Sequence, residues 1–93
     1  MIEGFKPYKG LRRLYEADDP SGVNAEHLER LELLLSALDA AGVVTDLAQP
    51  TFDLHQLKGK RRGVWTIKVR ANWRITFRFV DGRVSEVDLE DYD

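Results

Sequence analysis

The sequence predicts an α+β fold, with two N-terminal helices packed on an antiparallel sheet of four to five strands. Apolar residues recur at helical spacing up to Ala41, then at every second position after Pro50. The runs of the second half are joined by connections too short for parallel crossovers, which need about a dozen residues or more, so they form an antiparallel meander. With 93 residues, residues 1–93 are expected to form one domain with a modest core, and both helices should cover the apolar face of the sheet.

Taken in order, Ile2 and Phe5 flank a Glu-Gly pair and predict a short strand over residues 2–5. Residues 8–17 predict a helix with Leu11, Leu14 and Tyr15 on one face. Asp18-Asp19-Pro20-Ser21-Gly22 is a turn cluster. Asn24 is then the N-cap of a long helix, with Glu26 and Glu29 near its positive end. Leu28, Leu31, Leu34, Leu35, Leu38 and Ala41 form its apolar stripe, and Gly42 is placed to end it. Leu33 falls off the stripe and reads as exposed; His27, near the helix start, reads as a surface residue. Residues 52–58 predict a strand. Beyond them Trp65, Ile67 and Val69 alternate with Thr66, Lys68 and Arg70. Trp73, Ile75, Phe77 and Phe79 alternate with Arg74, Thr76 and Arg78, and Val87 and Leu89 with Glu86, Asp88 and Glu90. Each is a strand with one buried and one wet face.

Core residues must meet core residues across a strand pair, which constrains the registers. A two-residue turn at Asp81-Gly82 sets Phe77 against Glu86 and mixes the faces, so a three-residue loop over 81–83 is expected. That loop sets Phe77 by Val87, Ile75 by Leu89, Arg78 by Glu86 and Arg74 by Glu90, and the last strand then neutralises two arginines. In the other hairpin Val69 pairs with Trp73 and Ile67 with Ile75, which places Lys68 beside Arg74. Like charges directly opposite are destabilising, and the fold does not require this pair, so an anion is expected there.

The charge distribution narrows the function further. The net charge is −2, yet residues 54–80 hold eight Lys and Arg and no Asp or Glu, so +8 there stands against −10 elsewhere. Such segregation marks a surface for phosphate or an acidic partner; a solvated basic hairpin is the plainer alternative. There is no cysteine, which rules out disulfides and thiolate metal sites and suits a reducing cytosol. The apolar stretches fall short of a membrane span, and Met-Ile-Glu-Gly-Phe lacks a signal-peptide pattern. A cytoplasmic protein without membrane contact is expected. The two histidines show no ligand spacing and the carboxylates no dedicated cluster, so no metal is expected. The basic run at residues 58–63 lacks phosphate-loop spacing, and no cofactor is expected.

RNA cleavage without metal needs a base for the 2′-hydroxyl, cations for the phosphorane and an acid for the leaving 5′-oxygen. Near the basic segment lie His55, Lys58, the arginines and the terminal run Glu90-Asp91-Tyr92-Asp93. His55 suits proton transfer and Lys58 and Arg74 suit charge stabilisation. Tyr92 suits stacking on a base or a phosphate contact. Lys60, Arg61, Arg62, Lys68, Arg70 and Arg78 supply the remaining RNA contacts. A lone histidine beside a strand is more often structural. A regular strand would also point His55 and Lys58 to opposite faces, so a shared site needs a bulge or turn near Gly59.

Several segments together resemble the HigB toxins of the RelE/ParE superfamily: Lys-Gly-Leu-Arg-Arg-Leu-Tyr-Glu at 9–16, Leu-His-Gln-Leu-Lys-Gly at 54–59, Trp-Thr-Ile-Lys-Val at 65–69, Arg-Ala-Asn-Trp-Arg-Ile-Thr-Phe-Arg-Phe at 70–79 and Asp-Leu-Glu-Asp-Tyr at 88–92. The resemblance implies a RelE-like fold and a monomeric toxin of a type II toxin–antitoxin system. It implies a metal-independent endoribonuclease that enters the ribosomal A site and cuts translated mRNA, halting translation. It implies as partner a HigA-like helix-turn-helix antitoxin, whose complex with the toxin binds operator DNA. By matched position His55 is similar to the family's catalytic histidine, Lys58 and Arg74 to basic residues attributed to phosphate contact, and Asp91 and Tyr92 to the start of a terminal Asp-Tyr-His. Here the chain departs: Asp93 stands at the last histidine's place, and an aspartate, with an ordinary pKa of about 3.9, is no imidazolium acid at neutral pH. The pI of 5.7 is also acidic where such toxins are usually basic. Attenuated cleavage is one consequence; a catalytically inactive homologue or a gyrase-inhibiting protein like ParE are the alternatives.

Overall fold

The computed structural model describes residues 1–6 and 9–91. Tyr8, expected to begin the first helix, lies outside the described residues, as do Tyr92 and Asp93. Helix α1 (Lys9–Ala17) buries Leu11 and Leu14. It is followed by a 3-10 turn, Pro20–Gly22, whose entry is fixed by the Asp19 carboxylate accepting the Ser21 N–H at 3.0 Å. Gly22 is required there, because a Cβ would lie 2.7 Å from the Cα of Gly10 in α1. Asn24 is the expected cap, accepting the Glu26 N–H at 2.9 Å, but it opens a 3-10 turn, Ala25–His27, that runs into α2 (Leu28–Ala40). Helix α2 buries Leu31, Leu34, Leu35 and Leu38, and Leu33, off the stripe, is exposed.

His27 corrects the sequence reading. It is buried, with its ring centroid 5.8 Å from that of Trp73. It lies four residues before Leu31 and seven before Leu34, on the apolar stripe itself; its polarity, not its position, suggested the surface. Gly42 also differs in detail. Helix α2 ends at Ala40, Ala41 is extended, and the Gly42 N–H is given to the Asp46 carboxylate at 2.9 Å.

Four strands, β1 (His55–Gln56), β2 (Val64–Arg70), β3 (Trp73–Val80) and β4 (Arg83–Asp91), form one antiparallel sheet in chain order. The N-terminal segment adds two parallel bridges to β4, Ile2 with Val84 and Phe5 with Val87, in place of a regular strand. The strand expected over 52–58 contracts to two residues. Asp53 adopts a left-handed φ of 50° before it, and a 3-10 turn at Gly59–Arg61 follows it. Both helices and one sheet face share a core around Phe77, Ile67, Ile75, Val84 and Val87, all fully buried.

The hairpin registers are right in their outer halves and wrong at their turns. Ile75 pairs with Leu89 and Arg74 with Glu90 as expected, but Val80 pairs with Arg83 across a two-residue Asp81-Gly82 turn. Asp81 and Gly82 both take positive φ, 50° and 77°, the conformation of a tight hairpin turn. The face conflict is resolved by a bulge: between Arg78–Ser85 and Thr76–Asp88, β4 carries one residue more than β3. Glu86, at φ 51°, is the first residue of that bulge, where glycine is usual. The β2–β3 hairpin does the same. Ile67 pairs with Ile75 and Lys68 with Arg74, but the register shifts at Val69, so Arg70, not Val69, faces Trp73 across Ala71-Asn72.

Deleting Glu86 is therefore expected to keep the protein folded, since Val84, Val87 and Leu89 would then alternate with Ser85 and Asp88, and the two-residue turn would set Val87 by Phe77 and Leu89 by Ile75 without a bulge. Glu86→Gly should stay within about 1 kcal/mol of the parent, since relief of the left-handed strain offsets the lost exposed ion pair and added chain entropy. Thermal melts followed by circular dichroism check both; a deletion variant that fails to fold would contradict this register.

Candidate active site

The register places one row of side chains across the wet face. His55 pairs with Thr66, Thr66 with Thr76, and Thr76 with Asp88. Cross-strand partners share a face, and so do residues two apart on a strand, so Lys68, Arg74 and Glu90 stand on the same side. His55, Lys68 and Arg74 are thus brought to one surface.

The centre of this surface is ordered rather than simply cationic. Thr66 and Thr76 are each 1% exposed although they point away from the core. Each lies under an ionised side chain. Arg74 donates from Nη1 to the Thr66 hydroxyl at 3.1 Å and to the Asp53 carbonyl at 3.2 Å, and from Nη2 to Asp53 Oδ2 at 2.6 Å. Thr76 donates to Glu90 Oε2 at 2.6 Å. Glu90 takes the Arg61 guanidinium in a two-point pair, at 2.8 and 2.6 Å, the geometry that gives arginine–carboxylate pairs their strength. Arg74 and Glu90 face each other as expected, but each neutralises a different partner. Arg78 does pair with Glu86, at 2.6 Å.

Asp53 is the residue that the sequence reading missed. It stands immediately before the acid-free stretch 54–80 and so fell outside the segment that drew attention. Its carboxylate lies between Arg74 and His55, with Oδ1 2.8 Å from His55 Nε2. An ionised carboxylate only accepts, so Nε2 carries a hydrogen and Nδ1 is left for proton exchange. The backbone at 51–53 is pinned from both layers. Arg30 of α2 donates to the Thr51 carbonyl at 2.6 Å and the Lys68 carbonyl at 3.0 Å. Phe52 is buried beneath the Arg30 guanidinium, and its carbonyl accepts the Lys68 N–H at 2.7 Å.

The other candidates divide into paired and unpaired cations. Among the described residues, the exposed Lys58, Lys60, Arg62 and Lys68 have no carboxylate partner within 4.0 Å. Lys58 is itself extended, and the chain turns after it, at Gly59, whose φ is 71°. Arg70 approaches Glu26 at 3.8 Å with both side chains largely in solvent, a pairing worth little. Asp91 is exposed at the end of β4. Among the described residues, no group of three or more histidine or carboxylate side chains is placed to hold a metal ion, and no helix is long and apolar enough to cross a membrane.

Comparison with known proteins identifies the family and the fold. The family of HigB-like toxins, described as the RelE-like toxin of type II toxin–antitoxin system HigB, matches residues 3–92. The chain belongs to this family. Endoribonuclease HigB of Proteus vulgaris is 46% identical over 92 residues, covering 99% of each chain. Among solved structures, the YoeB–YefM toxin–antitoxin complex of Staphylococcus aureus gives a TM-score of 0.63 at 12% identity, covering 100% of this chain and 98% of that one. YafQ of Escherichia coli BL21(DE3) gives 0.63 at 13% identity, covering 98% and 91%. At these identities the solved structures establish the fold: the toxin is RelE-like, with two helices on an antiparallel sheet of four strands.

Electrostatics couples the toxin's site to its stability. Hydrogen bonds from Arg74, reinforced by the charges of His55 and Arg74, hold the Asp53 carboxyl below the usual carboxylate range. Hydrogen bonding from Arg61, then from Thr76, does the same for Glu90 against the opposing effect of burial. For both groups the folded-state pKa lies below the unfolded one. The stability they contribute is present above the unfolded pKa, about 4, and is lost as pH falls through the folded value. Glu90→Gln is expected to cost about 1–2 kcal/mol at neutral pH, roughly 5–10 °C in Tm, and to flatten the fall in Tm between about pH 5 and about pH 3. Melting curves across that range test it; an unchanged acid limb would remove Glu90 from the account.

Proposed function

We propose that this toxin is an endoribonuclease that cuts mRNA held in the A site of a translating ribosome, with His55 as the proton-transfer group. The observation that carries the reading is an imidazole held at one nitrogen by a carboxylate, on the same sheet face as the unpaired cation Lys68. Family membership and the likeness to Endoribonuclease HigB support the nuclease class. In this reading His55 Nδ1 takes the proton of the 2′-hydroxyl as the oxygen attacks phosphorus, and the bond to the 5′-oxygen breaks. Lys58 and Lys68 supply positive charge to the phosphorane, with Lys60 and Arg62 at the turn before β2 and Arg70 at its end. Arg61 and Arg78, already paired with Glu90 and Glu86, contribute less. Asp91 and Tyr92 complete the site by matched position, with Tyr92 stacking on a base. Asp93 is a carboxylate at neutral pH and a poor proton donor to the leaving oxygen, so cleavage is expected to be slow.

The antitoxin partner follows from the toxin's family, and toxin and antitoxin are seen together in the S. aureus YoeB–YefM structures. We assign it as a HigA-like helix-turn-helix protein through which the pair reaches operator DNA. A cytoplasmic location fits a ribosomal target.

Cleavage of mRNA on purified translating ribosomes tests the proposal. The toxin should cut within translated codons, leave free mRNA intact, and lose at least about 100-fold in rate on His55→Ala. Equal cutting of free RNA would refute ribosome dependence. Intact mRNA together with inhibited gyrase supercoiling would replace the nuclease reading with the ParE-like one. Removing two unpaired cations, Lys60→Ser with Arg62→Ser, should lower the slope of log affinity against log salt by about 0.7 per cation. An unchanged slope would take the Gly59–Arg61 turn out of the RNA path.

A further inference from the structure

Arg74 and His55 do not act as two independent groups, because a single carboxylate joins them. Both terminal nitrogens of Arg74 are engaged, on Asp53 and on the buried Thr66 hydroxyl, and the Arg74 side chain is only 17% exposed. The His55 side chain, 59% exposed, opens to solvent beside it. Asp53 is held in a left-handed conformation, φ 50°, that non-glycine residues seldom adopt. Departures of this kind persist where the surroundings over-determine them and collect at functional sites. Here the surroundings are the Arg30 guanidinium, the buried Phe52 ring and the Lys68 N–H. Helix α2 and strand β2 therefore jointly aim the carboxylate.

We infer that Asp53 is a positioning residue for the proposed reaction, holding the His55 imidazole through Nε2 so that Nδ1 faces the RNA, with Arg74 anchoring Asp53 rather than gripping phosphate. This rests on the nuclease reading of His55. It follows the general logic of an acid–base group whose second ring nitrogen is fixed by a third residue. It also gives Arg74 a role that its geometry permits. A guanidinium already committed to a carboxylate and a hydroxyl has little left for a two-point phosphate contact. Among the described residues, the charged groups bound to His55 directly or through its partner are Asp53 and Arg74.

Two measurements test the assignment. The first uses the free protein and needs no ribosome: long-range proton–nitrogen spectra of the two histidine rings. Asp53→Asn keeps the side-chain shape and tolerates left-handed φ. It should move the His55 ring-nitrogen signals while those of His27, buried against Trp73, stay in place. Arg74→Lys, which leaves residue 53 unchanged, should move them in the same direction and serves if Asp53→Asn does not fold. Unmoved His55 signals overturn the contact. The second is single-turnover cleavage on the ribosome. Asp53→Asn should slow cleavage about 10–100-fold without weakening binding, and should add nothing in an Asp53→Asn/His55→Ala double variant. Additive losses, or wild-type or faster cleavage by Asp53→Asn alongside an inactive His55→Ala, overturn the positioning role alone. Wild-type cleavage by His55→Ala overturns the nuclease assignment beneath it.

Discussion

A carboxylate 2.6 Å from a guanidinium and 2.8 Å from an imidazole ties the segment around β1 to a strand 21 residues away. Asp53 is on the loop before β1, Arg74 at the start of β3, His55 in β1 itself. The carboxylate is fixed in turn by Arg30 of α2, which reaches under the loop to two backbone carbonyls. Remove the charge at residue 53 and Arg74 lies over Thr66 with no counter-ion, while the imidazole loses the hydrogen bond that sets its orientation.

Around that centre the charges sort by use. Two buried threonines, side by side across β2 and β3, each lie under an ionised side chain, and those side chains are matched by Asp53 and Arg61. Arg78 is matched by Glu86 at the bulge. A partly buried, multiply bonded pair is strong enough to organise a surface, while exposed pairs contribute little. The unmatched cations, Lys58, Lys60, Arg62 and Lys68, lie around this framework. A polyanion arriving there meets side chains that need not release a protein partner, beside an imidazole already oriented. Such a division leaves the paired framework intact when an anion binds.

Much of this was legible in the sequence because period two and period 3.6 are hard to confuse over long runs. The leucine stripe of α2 and the alternation through Ile67, Ile75 and Leu89 located helices, strands and the shared wet face, and hence the neighbourhood of His55, Lys68 and Arg74. Lost were the details that a single residue decides. Asp81-Gly82 is a strong two-residue turn signal, and it conflicted with the faces of Phe77 and Glu86 only because a bulge at Glu86 cannot be seen without the partner strand. His27 shared the spacing of Leu31 and Leu34 and was judged by polarity instead. Asp53 carried no periodic signal at all. Its importance comes from a positive φ and from two partners, one of them 21 residues away, which only the folded chain brings to it. The family resemblance drew attention to His55 and Arg74 but carried no information on the carboxylate between them.

The most direct test of this account is the structure of the toxin bound to a translating ribosome with an uncleavable 2′-deoxy nucleotide at the scissile position. The account predicts the target phosphate over the His55–Lys68 side of the sheet, the His55 ring still on Asp53, and Arg74 still on Asp53 and Thr66. Messenger RNA lying on the helical side, or Arg74 swung away from Asp53 to grip the phosphate, would contradict it.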